Sequence, residues 1–345
     1  MIHSPLRAAL ENGDARTIQS TIQNVNRSPK DVINILCDIF DCNLPILFLL
    51  YDIFDTAALS HWELESSSHP IITVNSVKNI ISDNKVNPSI PLLLFASECV
   101  QNLSYRIHDV EILSSIQKDG LEKSIFISDL QNDLEVGSDR IVSSVAKVFL
   151  ASDRSSSVLE VIAEVLYRDF NTFSLFTFHL MRAFAFQERK DILWSYILSL
   201  INQTKNITFS EPAPKNDQSI DRWKKTIINH HDESLLKNYS IMERLWNSEY
   251  VRINQYKNEI LKSLDSLSMI EMKVEKSNPD HWVCKGQNEW GKQFIMSAEK
   301  IINKNISLED KKEKIVYLES LRSLAKNCDD SILPNIGEHI EKVLS

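Results

Sequence analysis

The stretch Phe170-Asn-Thr-Phe-Ser-Leu-Phe-Thr-Phe-His-Leu-Met-Arg-Ala-Phe-Ala-Phe186 decides the fold. It holds 6 of the chain's 14 phenylalanines. Leu175 and Phe176 lie one turn before His179, and Arg182 and Ala183 one turn after. The spacing predicts a helix over about 171–187 that is apolar on nearly every face. Such a helix is buried, so other helices must cover it. His179 then needs a hydrogen-bond partner or a ligand inside the core. One reading makes it a core histidine satisfied by a carbonyl or carboxylate. The sharper reading makes Phe176, His179 and Arg182 the wall of a pocket for an aromatic or redox ligand. An imidazole near its ordinary pKa could serve there as base or metal ligand.

Apolar residues recur at helical spacing in both directions from this segment. Val32, Ile33, Ile35, Leu36, Ile39 and Phe40 form a stripe, and residues 5–24 repeat it more weakly. Pro45 suits the first turn of the next helix. Ser68-His69-Pro70 reads as another helix start, and Asn87-Pro88 precedes a helix from about 89 to 103. Further patterns lie near 107–117, 121–132, 138–151, 155–168 and 189–203, with Ser155–Ser157 and Glu160 as a capping signal. Short connections imply antiparallel neighbours. The expected class is all-α, a multi-helix bundle or an irregular helix-pair array.

Residues 203–219 interrupt the pattern with Pro212, Pro214 and few apolar side chains. They divide an apolar, acidic helical domain (1–204) from a charged helical domain (219–345), with 205–218 as linker or long loop. Residues 1–205 carry 17 basic and 25 acidic side chains, and 206–345 carry 21 and 22. The two units can still pack as one body. Behind the break, 219–230, 234–269, 307–327 and 329–343 read as helices. Residues 270–291 differ, since they hold Trp282, Trp290, Gly286 and Gly291, and a small hairpin or irregular loop is expected there.

Only 6 of 345 residues are glycine. Most site types built on glycine-rich loops are therefore excluded, and an all-β fold with many tight turns is argued against. The net charge of −9 offers no basic face for a phosphate backbone, so no nucleic acid is expected. Cys37, Cys42, Cys99, Cys284 and Cys328 form no CxxC pair and read as reduced thiols of a cytoplasmic protein. The start, Met1-Ile-His-Ser-Pro-Leu-Arg, shows no signal peptide, and no apolar run is long enough for a transmembrane segment.

No Walker loop, GxGxxG, GxSxG or HExxH is present, and no Glu precedes a histidine by three residues. His281, Cys284, Cys328 and His339 supply four possible zinc ligands, but the second pair is ten residues apart, so no metal site is expected. Trp282 and Trp290, with His281 and Cys284, read instead as a plug between helices or as an interaction loop. In the front half, His61, His69, His108 and His179 all lie near or within apolar helices.

His69-Pro-Ile-Ile-Thr73-Val-Asn75-Ser-Val resembles the His-apolar-x-Thr-x-Asn helix start of questin-oxidase-like helical proteins. The match covers about ten residues, together with a loose similarity around His179. The resemblance implies a helical oxidase pocket lined by His69 and His179. Two functions are therefore expected. The first is a helical protein-protein interaction module or assembly subunit, with a protein partner or homo-oligomer. The alternative is a helical oxidoreductase or small-ligand-binding protein with a His/Phe-lined front pocket (His61, His69, Asn75, His108, Phe176, His179, Arg182). The residues specify no cofactor.

Overall fold

The computed structural model describes residues 46–345, apart from 63–64, 102, 121–125, 188–189, 191, 205–206, 231 and 267–277. The stripes at 5–24 and 30–42, Pro45 and residues 270–274 lie outside the described residues. The first helices are α1 (Ile46–Leu59), α2 (Pro70–Ile81), α3 (Ile90–Cys99), α4 (Asp109–Asp119) and α5 (Ile127–Glu135). Next come α6 (Ile141–Ala151), α7 (Ser157–Leu166), α8 (Phe170–Phe186), α9 (Leu193–Asn202) and α10 (Asp221–Ile228). The remainder are α11 (Glu233–Trp246), α12 (Ile253–Ser266), α13 (Trp290–Ile302), α14 (Leu308–Lys326) and α15 (Leu333–Leu344). The protein is all-α. Among the described residues the one β contact is an isolated bridge between Ser60 and Tyr105. No helix among them is long and apolar enough to cross a membrane.

Local chemistry sets the boundaries. His69 caps α2 by accepting from the Ile71 N–H at 3.2 Å, with Pro70 in the first turn. Ser89, Asp169, Asp232 and Ser307 cap α3, α8, α11 and α14 in the same way. The expected cap before α7 is different. Ser156 makes no side-chain cap, and Glu160 accepts from the Arg252 N–H instead. The turn before it uses no glycine, since Asp153 and Arg154 both take positive φ.

On α8 only Asn171, Thr172, Arg182 and Ala185 are exposed. Its other side chains are covered by α2, α7, α9 and α11. Full burial of a phenylalanine such as Phe176 contributes about 2–3 kcal/mol. The second central helix is α14, packed against α2, α11, α13 and α15. It is buried continuously from Ile315 to Ala325, charges included. Glu319 and Arg322 survive there because each has an ionic partner.

One hydrophobic cluster runs through residues on both sides of 205–218. The compositional division is therefore crossed by packing. Segment 207–219 is a non-helical strap. Glu259 accepts from the Ala213 N–H at 2.8 Å, Asn258 from the Asn216 N–H at 3.1 Å, and Phe209 lies 5.8 Å from Phe173.

Candidate functional site

The first candidate arises where α2 crosses α8. His69, at the head of α2, is buried, with its ring 4.7 Å from Phe176 and 5.8 Å from Trp62. Two turns later Asn75 faces α8, and its amide donates to His179 Nδ1 at 2.9 Å. His69, Asn75, Phe176 and His179 thus share one buried seam. The other two histidines do not join it. His61 is exposed, with its backbone N–H on the Ser104 carbonyl. His108 is exposed at the head of α4 and pairs with Glu111 one turn on.

With the Asn75 amide donating to Nδ1, the neutral ring carries its proton on Nε2. Among the described residues that Nε2 has no hydrogen-bond partner, and neither do Asn75 Oδ1 and the Thr177 hydroxyl. Burial, reinforced by Arg244, Lys78 and Arg182 and opposed by Glu319, pushes His179 down to about 3. Burial and then Arg106 push His69 down to about 3 as well. Both imidazoles are neutral at physiological pH. This differs from the expectation of an imidazole near its ordinary pKa, and a base this weak has little driving force to take a proton near pH 7.

Two cavities flank the seam. One, of about 190 Å³, lies between α2, α8, α11 and α14 and includes Thr73, Leu175, Asn238 and Val316 in its wall. The other is a groove of about 660 Å³, walled by α8, α11, α14 and residues 247–250. Neither wall includes His69, Asn75 or His179. Of the front-pocket candidates, Arg182 alone lines the groove, joined by Phe178 from the same helix. The pocket is therefore not confined to the front half. Arg244, Glu319, Arg322 and Lys326 come from beyond residue 218.

The groove floor is an ionic network. Arg244 grips both oxygens of Glu319, at 2.9 and 3.1 Å, and lies 4.7 Å from the centre of the Phe178 ring. Its remaining nitrogens donate to the Ser240 carbonyl and hydroxyl. Asn79 donates to Glu319 at 2.9 Å. Burial alone would raise the Glu319 carboxyl, but Arg244, His179, Arg322 and Asn79 hold it below the usual range. Asp83 accepts from Arg322 and Lys326, and these bonds outweigh burial and lower its carboxyl too. Sequence reading missed these groups. The available signal is the i, i+3, i+7 spacing of Glu319, Arg322 and Lys326, which puts them on one face of α14.

The 278–291 segment contains short 3₁₀ turns, at Trp282–Lys285 and Gln287–Glu289, and no strand. His281 is buried and accepts from the Val283 N–H, while buried Trp290 donates to the Val283 carbonyl at 3.0 Å. Trp282 sets its edge against Phe294, with centroids 4.9 Å apart, and Cys284 is half-buried. Both tryptophans are thus packed against neighbouring groups of the fold. Gly337 of α15 permits the fit, because a Cβ there would lie 2.7 Å from the His281 Cβ. His339 is occupied on both nitrogens, by the Tyr317 hydroxyl at 3.0 Å and the Ile228 carbonyl at 2.8 Å. Among the described residues, no three His, Cys, Asp or Glu side chains gather to hold a metal ion.

No protein-family model, curated protein or solved structure matches this chain.

Proposed function

We propose that this chain is a helical small-ligand-binding protein whose ligand occupies the groove between α8, α11 and α14. One observation carries the reading. The groove is open to solvent, measures about 660 Å³, within the range of small-molecule sites, and mixes fixed charges with Phe178 and Tyr250. Its floor is held by ion pairs between helices, so the shape is preorganised. The oxidase reading suggested by the questin-oxidase-like resemblance rests on the His69–Asn75–His179 seam, which neither flanking cavity reaches. The groove therefore carries the proposal.

The test is a thermal-shift and native mass-spectrometry screen of a chemically diverse library, on the wild type and on Ala185→Trp. Ala185 is exposed and lines the groove, so the indole fills it without entering the core. Binders are expected that Ala185→Trp abolishes while the ligand-free melting temperature stays unchanged. A library without binders, or binders indifferent to Ala185→Trp, counts against the groove.

A second reading, the interaction module, is favoured by apolar side chains left in solvent on and beside α4 and α5. Ile107 is 77% exposed, Val136 63% and Phe126 60%. Size-exclusion chromatography with light scattering would show a defined oligomer that Phe126→Ser dissociates. A monomer throughout, with no partner recovered from native extract, speaks against it.

A further inference from the structure

The charge of the groove says which ligand it takes. Four cations stand in its wall, Arg182, Arg244, Arg322 and Lys326, against two carboxylates, Glu249 and Glu319. Asp83 lies behind the wall and serves Arg322 and Lys326 together. Even with Asp83 counted, the cations are in excess, in a chain whose net charge is −9. The excess has an address. Arg244 is committed to Glu319 and Ser240, and Arg322 and Lys326 to Asp83. Arg182 stands near Tyr250 in the groove wall and has no ion pair among the described residues. Arg182 is an exposed residue at the groove.

Lys78 reports the same local field. Its ammonium packs on Phe186 at 4.8 Å and Phe54 at 5.7 Å, without a carboxylate partner among the described residues. Burial first, and then Arg182, bring it down to about 8 against the pull of Glu319. The Arg182 part of that lowering has the sign that favours an anion placed in the groove.

We infer that the groove binds a small organic anion, its carboxylate or phosphate group seated on Arg182 and its apolar body against Tyr250 and Ala185. A guanidinium with donors to spare matches either acid through paired N–H···O bonds. Arg182 is the specificity-determining contact. Arg244 is a positioning residue, fixed by Glu319 and already satisfied. This inference rests on the small-ligand reading of the groove.

A matched series tests it, namely benzoate, phenyl phosphate, benzyl alcohol and benzylamine, which share one ring and differ in charge. Binding is measured by calorimetry and ligand-observed NMR on wild type, Arg182→Gln and Arg182→Lys. Benzoate or phenyl phosphate is expected to bind, the better of the two assigning the acid. Arg182→Gln is expected to weaken that anion about tenfold, with partial recovery in Arg182→Lys. Arg182 is exposed, so folding of the variants is checked simply by their unchanged helical circular dichroism. The inference is overturned if the alcohol or amine binds as well as the anions, if Arg182→Gln leaves anion affinity unchanged, or if neither anion binds. The small-ligand reading fails separately, when the diverse library yields no binder of any charge. Neutral binders lost in Ala185→Trp would keep that reading and sink the anion alone.

Discussion

Asn75 and His179 stand 104 residues apart in the chain, and their side chains meet at 2.9 Å in the core. This bond fixes the register of α2 against α8, the two helices that bring His69 onto Phe176. A polar pair in an apolar seam has one low-energy alignment. Sliding either helix by a turn would leave both groups without a partner.

Breaking that bond should be costly. Asn75→Leu keeps the branched side-chain shape, at somewhat larger volume, and leaves the His179 Nδ1 without its donor. A loss of about 1–3 kcal/mol is expected in urea unfolding. A variant within about 0.5 kcal/mol of wild type would show that the pair contributes little to stability.

Acid should destabilise the fold earlier than carboxylate titration does. His69 and His179 have native pKa values lowered to about 3, against about 6.5 when unfolded. Between those values the unfolded chain binds more protons than the native one. Stability is therefore full above pH 6.5 and falls as pH drops toward 3, by about 1.4 kcal/mol per pH unit for each ring. Unfolding free energies at pH 7, 6 and 5 measure the slope, before most carboxylates titrate. His179→Leu should remove about one proton's worth of it. An unchanged slope in that variant would refute the assignment.

The ion pair in the groove floor predicts strong coupling. The side chains of Glu319 and Arg244 are only 1% and 15% exposed. Glu319→Gln leaves a largely buried guanidinium without its counter-ion and should cost about 3 kcal/mol or more. Adding Arg244→Met should recover part of that loss, so the double variant is more stable than the sum of the singles. Strict additivity in the cycle would show that the two charges act independently.

Gly337 offers a test in which local and tertiary effects oppose each other. Within α15, alanine is intrinsically better than glycine by about 1 kcal/mol. Its Cβ would meet His281 at 2.7 Å, so the 281–285 turn must move away from α15. Overpacking should win, and Gly337→Ala is expected to be destabilised by about 1–3 kcal/mol in thermal unfolding. A stabilised variant would mean that the turn yields freely.

Much of this protein was legible in the order of its residues. The Phe170–Phe186 run is apolar all round, and a helix of that kind can only lie inside. Ser-His-Pro at 68–70 marks a helix start because a side-chain acceptor and a fixed proline φ act within a few residues. The seam was partly visible too, since a histidine and an asparagine on apolar helices must find partners. The sequence did not say that they would find each other, or that His61 and His108 would stay outside.

What only the tertiary structure decided is the position of charge. In the sequence, Arg244, Glu319, Arg322 and Lys326 look like the solvated face of a charged back half. Packing draws α14 to the centre, where Glu319 is gripped by Arg244 and Asp83 holds Arg322 and Lys326. Arg182 is left at the rim without an ion pair among the described residues. Helix formation depends on neighbours three and four residues apart, so local order in the chain determines it. The balance of charge in a groove depends on groups more than sixty residues apart, and only the folded chain brings them within reach of one another.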